Sequence, residues 1–217
     1  MLATGTDRVP ANGAALVVAS QAGGAPWDAV MLATALRRHG VRADDPPRFV
    51  APRRAFELPW ASTALRRLGG VPAAPGNATR LLAEGHLVIA FPPGGRGAGR
   101  AAGMRYRVDR LRAGECVELA LRSGAPIVPC ALVAGGPGIG DRLLARAARL
   151  PRPPVPLPSP PPPERWRIAF AEPMPVAHHG AAAADDRALV LELADDVRAR
   201  IQQKVYESVV DGGTIRA

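Results

Sequence analysis

The segment with the greatest concentration of reactive side chains is 91–112, FPPGGRGAGRAAGMRYRVDRLR. Its six arginines stand against a single acid, Asp109. The arginines are Arg96, Arg100, Arg105, Arg107, Arg110 and Arg112. A guanidinium group binds phosphate or carboxylate through two parallel hydrogen bonds, and glycines let the backbone approach a ligand closely. The segment therefore predicts an anion-binding site; the alternative is a solvated glycine-rich loop with scattered surface charge.

The glycines of this segment do not form a nucleotide-binding motif. Gly95, Gly97 and Gly99 do not fit G-x-x-x-x-G-K-[ST], and they do not open an apolar helix as G-x-G-x-x-G requires. The later run GGPGIGD, 135–141, fails in the same way. We therefore do not expect the bound anion to be a nucleotide held by a glycine-rich loop of either kind.

The composition also indicates an anionic partner. The 217 residues contain 28 Lys and Arg against 19 Asp and Glu, a net charge of +9, and Lys204 is the single lysine. Nucleic acid is disfavoured, because aromatic residues make up only 4% of the chain and do not alternate with the arginines as base-stacking platforms would. Peripheral contact with an anionic membrane remains open.

Two cysteines, Cys116 and Cys130, are too few for a disulfide framework and form no Cys/His group that could hold a metal. This cysteine usage indicates a reducing, cytoplasmic environment. No apolar run approaches the ~20 residues of a membrane-spanning helix. We expect a cytoplasmic protein, with attachment to the inner membrane face as the open alternative.

Several segments must position the arginine-rich loop. Apolar runs without alternation predict buried strands, and patterns of period 3.6 between capping and stop signals predict helices. The predicted strands are 14–19, 48–51, 86–91, 127–133 and 166–171, and the predicted helices are 27–38, 61–68, 77–83 with an Asn77 cap, 116–122 and 185–208. Strands that alternate with helices predict a single α/β domain with a mixed, mostly parallel sheet flanked by helices.

The predicted domain covers 10–208, with flexible termini at 1–9 and 209–217. A proline-dense surface loop occupies 151–163. The last helix places Leu189, Leu193, Val197, Ile201 and Val205 four apart on one apolar stripe, which we expect to pack on the body. The arginine-rich loop follows the strand 86–91, and ligands of open α/β sheets bind beyond the carboxyl ends of strands.

The order of segments resembles the lysophospholipid/glycerolipid acyltransferase superfamily. FPPGGRG, 91–97, resembles the family signature F-P-E-G-T-R-G, and VELALRSGAPIVPCALVAGG, 117–136, resembles the block that contains P-I-V-P. FAEPMPV, 170–176, is similar to the family's short G-x-P-I strand end. The resemblance runs from about Pro10 to about Glu207.

The resemblance implies an acyltransferase-like α/β fold and a group-transfer reaction. A fatty acyl group would pass from acyl-CoA or an acyl carrier protein to the hydroxyl of a lysophospholipid or another glycerolipid-type acceptor. It implies no metal, and no cofactor beyond the acyl donor.

The family's first motif is His-x4-Asp, in which His removes the proton of the acceptor hydroxyl and Asp orients the ring. The matching positions here are Gln21 and Asp28, separated by seven residues and not five. A glutamine amide has no useful basicity near neutral pH, although it can hold a hydroxyl by hydrogen bonding. The alternatives are a polar residue anchored at a strand end for Gln21 and a helix-start cap for Asp28.

The second motif implies substrate-binding roles for Pro93, Gly94, Gly95 and Arg96. Arg96 would grip a phosphate or polar head group, whereas Pro93 and Gly95 replace the family's glutamate and threonine, and proline also removes a backbone donor. No histidine is a persuasive replacement base, since His86 begins the strand whose far end carries this motif. A catalytically inactive lipid- or CoA-binding regulatory member of the same fold is the alternative function.

Overall fold

In a computed structural model of the protein, the described residues are 1–22, 27–51, 53–57, 59–74, 76–92, 113–134 and 166–211. The strands are β1 (Leu2–Thr4), β2 (Ala15–Ala19), β3 (Arg48–Ala51), β4 (Gly70–Pro72), β5 (Leu87–Ala90), β6 (Ile127–Ala134) and β7 (Trp166–Phe170). The α-helices are α1 (Trp27–Arg38), α2 (Pro59–Arg67), α3 (Asn77–Ala83), α4 (Gly114–Ser123) and α5 (Arg187–Val210). Short 3-10 turns occupy Thr6–Arg8, Arg53–Phe56, Ala177–His179 and Ala181–Asp185.

In the described part of the chain the strands form one seven-stranded sheet in the order β1-β7-β6-β2-β5-β3-β4. The strands β2 to β6 run parallel to one another, β7 is antiparallel to β6, and β1 is parallel to β7. The predicted mixed, mostly parallel α/β sheet is therefore confirmed. We call the side where β2 to β6 end the carboxyl edge, and the opposite side the amino edge.

The helices cover both faces of the sheet because the strands are apolar on both faces. Along β2, Val17 and Ala19 pack with α1 and α2, whereas Leu16 and Val18 pack with α3, α4 and α5. Each side chain of β2 is fully buried. The strand that leads to the candidate site is thus fixed from both sides.

The predicted bounds of β3, α1 and α3 match the structure, and each other predicted strand and helix is found with one or both ends shifted by one or two residues. The strands β1 and β4 were not predicted. Flexibility of 1–9 was a wrong prediction: β1 pairs with β7, Val9 is buried, and Arg8 donates from Nη1 to the Phe170 carbonyl at 2.9 Å. The outer edge of β7 supplies the hydrogen bonds that order this segment.

Two details of the helices also differ from prediction. Asn77 is the first residue of α3 and not its cap; its side-chain amide donates to the Pro72 carbonyl at 2.9 Å. In α5, Val190 and Ala194 are buried where Leu189 and Leu193 were expected, because a spacing of four drifts around a helix of 3.6 residues per turn. The helix continues past 208 to Val210, while 151–163 and 212–217 lie outside the described residues.

Arg42 ties together the connections at the amino edge. Its guanidinium donates to the carbonyls of Pro10 at 3.0 Å and Gly85 at 3.2 Å, and also to the carbonyl of Gly13. Its backbone has φ of 53°, in the left-handed region that favours glycine. Gly13 lies just before β2 and Gly85 just before β5, so one buried side chain fixes where the two central strands begin.

Candidate functional site

The candidate site begins where β2 leaves the sheet, at Ser20. The Ser20 amide donates to the Cys130 carbonyl at 3.0 Å, which continues the ladder with β6. The next ladder bond is changed: the Leu132 amide donates to the Ser20 hydroxyl at 2.9 Å, and the hydroxyl lies 3.4 Å from the Leu132 carbonyl, to which it donates. Ser20 is 6% exposed. A side chain therefore replaces the backbone at the point where the strand ends.

Gln21 follows directly and is half-buried. Its side chain makes no hydrogen bond or ion pair to any residue that the structure describes, and the alternative of an anchored polar residue stays open. A glutamine amide has two N–H donors and a carbonyl acceptor with which to bind a ligand. The structure places Gln21 at the end of a central strand; its role at the family's catalytic position stays a prediction.

Asp28, on α1, lies beside the segment that follows β2. It is the second residue of that helix and only 2% exposed, and its Oδ1 accepts a hydrogen bond from the Ala22 amide at 3.3 Å. The helix N-terminus favours a carboxylate there. The spacing of seven residues therefore still brings the acid next to Gln21. The bond to Ala22 holds the segment before α1 and is not a cap of that helix, so the cap offered as the alternative for Asp28 stays a prediction.

The second predicted motif starts from the neighbouring strand. Val18 of β2 is in register with Ala90 of β5, so Gln21 and Pro92 both follow strands that end at the same edge of the sheet. Pro92 is buried and Phe91 packs against the core. The predicted substrate-binding residues Pro93, Gly94, Gly95 and Arg96 lie outside the described residues, so their roles stay predictions.

All four histidines are among the described residues, and all four lie on the amino side. His39 follows the end of α1, and His86 precedes β5, where its Nδ1 lies 2.9 Å from Asp45. His178 and His179 follow β7, whose continuation pairs Met174 with Ile127 at the start of β6. The prediction that His86 lies at the wrong edge is confirmed, and no histidine lies beside Gln21.

The other titratable candidates are also unsuited to the chemistry. Burial raises the pKa of the Cys116 thiol to about 12 and raises the pKa of the Cys130 thiol well above its ordinary value. Neither thiol is a nucleophile near neutral pH. Within the ranges that the structure describes, no three His, Cys, Asp or Glu side chains are grouped to hold a metal ion.

The site thus joins two carboxyl strand ends of a parallel sheet, an amide without a hydrogen-bond partner in the described part of the chain, and a buried carboxylate at a helix N-terminus. This arrangement belongs to the class of α/β proteins that bind ligands beyond the carboxyl ends of their strands. Residues 2–133, more than half of the chain, match the Acyltransferase family profile. The chain belongs to this family, as its sequence motifs implied.

The chain is also similar to curated proteins of other organisms. An uncharacterized protein of Mycobacterium tuberculosis is 41% identical over 216 residues, covering 94% of this chain and 60% of the relative. One of Mycobacterium leprae is 39% identical, covering 94% of this chain and 58% of the relative. The chain therefore spans about three-fifths of the length of these curated relatives.

The crystal structure of the 1-acyl-sn-glycerophosphate (LPA) acyltransferase PlsC from Thermotoga maritima superposes with a TM-score of 0.58. It is 17% identical, and the match covers 100% of this chain and 73% of that chain. This likeness shows the shared fold. Among the described residues, no helix is long and apolar enough to cross a membrane.

Proposed function

We propose that the carboxyl edge transfers a fatty acyl group from acyl-CoA or an acyl carrier protein to the hydroxyl of a lysophospholipid or another glycerolipid-type acceptor. Membership of the Acyltransferase family supports the class of reaction. The observation that carries the proposal is the convergence of Gln21, Asp28 and the end of β5 at one edge of the sheet.

In the proposed reaction the acceptor oxygen attacks the thioester carbonyl carbon. The new C–O bond forms an ester, the C–S bond breaks, and the hydroxyl proton passes through water to the departing thiolate. Gln21 holds the acceptor hydroxyl through its amide but does not remove the proton. A positioned general base contributes typically ~10²–10⁴-fold to a rate, so the reaction is slow by comparison with one that has a histidine here.

The anionic parts of the substrates are proposed to bind in the loop after β5. Arg96 grips the acceptor phosphate or polar head group, Gly94 and Gly95 let the backbone approach it, and Pro93 adjoins the group without offering a backbone donor. The net charge of +9 supports the same polarity of partner. It also supports peripheral contact of a cytoplasmic protein with an anionic membrane, where such acceptors reside.

One observation favours a second candidate function, a catalytically inactive lipid- or CoA-binding regulator. Every histidine lies away from the carboxyl edge, so this chain has no imidazole base for the acceptor. Such a protein would keep the substrate pocket and bind acyl-CoA or lysolipid without turnover.

The two functions are separated by measuring binding and turnover on the same protein. Palmitoyl-CoA binding is followed by calorimetry, and CoA release in the presence of lysophosphatidic acid is followed by a thiol reagent. The proposal predicts binding and slow CoA release that is lost in Asp28→Ala, with Asp44→Ala, an exposed carboxylate, as the matched control. Binding without acceptor-dependent release supports the regulator. Absence of binding in the wild type and in Gln21→His contradicts both.

A further inference from the structure

At the end of β2, the side chain of Ser20 takes the place of its backbone carbonyl as a hydrogen-bond acceptor. In a parallel ladder the amide of Ser20 bonds to Cys130, and the amide of Leu132 should then bond to the Ser20 carbonyl. The Ser20–Cys130 bond is made at 3.0 Å, but the Leu132 amide bonds at 2.9 Å to the Ser20 hydroxyl. The backbone of β2 therefore leaves the hydrogen-bond ladder at Ser20, and the Ser20 hydroxyl accepts the bond that the backbone carbonyl would have accepted.

This hydroxyl is held from both sides. It accepts from the Leu132 amide and donates to the Leu132 carbonyl at 3.4 Å, while Ser20 is 6% and Leu132 3% exposed. Water therefore has little access to replace either bond. An alanine at position 20 would leave the Leu132 amide buried without a partner, and the strand end would have to shift to satisfy it.

The next residue along the chain is Gln21, and the one after it, Ala22, is bound by Asp28 at 3.3 Å. The residues on both sides of Gln21 are thus held by side-chain hydrogen bonds: the Ser20 hydroxyl binds β6, and the Ala22 amide binds Asp28 of α1. The side chain of Gln21 has no partner among the described residues, so its position depends on the backbone that these hydrogen bonds hold.

We propose that Ser20 is a positioning residue for Gln21: its hydroxyl fixes where β2 ends and thereby where the Gln21 amide meets the acceptor. What the amide contacts rests on the function proposed above. The position of the amide does not depend on that function and can be measured in the free protein.

The chain contains three glutamines, Gln21, Gln202 and Gln203, so ¹⁵N-glutamine labelling gives three backbone amide signals and three pairs of side-chain amide signals. The Gln21 signals are assigned by their loss in Gln21→Ala. The backbone signal of Gln21 shifts with any change of the preceding residue, so the side-chain signals decide: we expect Ser20→Ala to shift or broaden the Gln21 side-chain signals, whereas those of Gln202 and Gln203, on α5, stay unchanged. Ser20→Thr keeps an oxygen at this position and is expected to retain the wild-type Gln21 side-chain signals.

Ser123→Ala is the matched control. Ser123 also donates to a backbone carbonyl, that of Leu119 at 2.8 Å, and accepts from the Ala125 amide at 3.4 Å, but it ends α4 away from the site. Its loss should leave the Gln21 side-chain signals in place. Gln21 side-chain signals that are the same in Ser20→Ala as in Ser123→Ala overturn the proposal. If Ser20→Ala does not fold, displacement of Gln21 in Ser20→Thr to a new position overturns it instead.

Turnover supplies the functional half of the test. A misplaced reacting group can cost on the order of 100-fold, so we expect Ser20→Ala to lower acceptor-dependent CoA release by tenfold or more, and Ser20→Thr to restore it. If the wild type neither binds nor turns over palmitoyl-CoA, the proposed function fails, while the Gln21 side-chain signals still decide whether Ser20 positions that residue.

Discussion

Arg42 offers the sharpest stability prediction, because a single buried side chain joins three connections of the chain. Its guanidinium donates to the carbonyls of Pro10, Gly13 and Gly85, and Asp45 lies 3.9 Å away. Hydrogen bonds from a charged group contribute about 1.5–3 kcal/mol each, and water can replace part of this at the half-exposed carbonyls. We expect Arg42→Ala to lower the free energy of unfolding by about 3–5 kcal/mol.

The backbone of Arg42 adds a second, separable effect. Its φ of 53° costs a residue with a side chain about 1 kcal/mol relative to glycine. Arg42→Gly loses the same hydrogen bonds but relieves this cost, so it should be less destabilising than Arg42→Ala by about 1 kcal/mol. Burial lowers the pKa of Arg42, and the negative charge of Asp45 opposes that shift. Asp45 therefore offsets part of the cost of burying the guanidinium charge in the folded state.

Urea denaturation measures both effects. The variants should shift the midpoint without changing the slope, since the surface exposed on unfolding is the same. Arg38→Ala, at an exposed position four residues earlier, should lie within about 0.5 kcal/mol of the wild type. A loss below about 1 kcal/mol for Arg42→Ala would refute the assigned role, as would Arg42→Gly being the less stable of the two.

Two further predictions concern the thiols and the long helix. Because burial raises the pKa of Cys116 to about 12 and that of Cys130 well above its ordinary value, the thiolate is absent at pH 8. Neither cysteine of the native protein should react with iodoacetamide there, whereas both should react in urea; rapid native modification would contradict the raised pKa values. Asp186 caps α5 by accepting from the amides of Ala188 and Leu189, so Asp186→Ala should cost about 1 kcal/mol and Asp186→Asn much less. Equal stability of the three proteins would refute the cap.

The fold could largely be predicted because its central strands are long apolar runs that fill both faces of a parallel sheet. The strands β1 and β4 have three residues each, too few to show a periodicity, and β1 depends on a partner more than 160 residues away. The positive φ of Arg42 also has no local sequence signal. Such features are fixed by tertiary contacts and not by local pattern.

The candidate site was predicted in part. Gln21 and Asp28 were identified through the family motif; the bond from the Ala22 amide places Asp28 close to Gln21, and its equivalence to the family's acid stays a prediction. Ser20 was missed as a functional residue because its partner, Leu132, is 112 positions away in the sequence. A serine at the end of an apolar strand has many structural explanations, so its position alone would not have identified it.

The central claim is that Gln21 holds the acceptor hydroxyl without removing its proton. The pH dependence of acceptor-dependent CoA release in the wild type and in Gln21→His tests it most directly. An imidazole base acts only when deprotonated, so Gln21→His should gain a rate that rises with pH through ~6.5, near the ordinary pKa of histidine.

The predicted result is a wild-type rate that lacks this rise and lies on the order of 10²-fold or more below that of Gln21→His. A wild-type rate that matches Gln21→His and rises over the same pH range would contradict the account. Such a result would require a histidine base at the carboxyl edge, and the four histidines of this chain lie at the opposite side of the sheet.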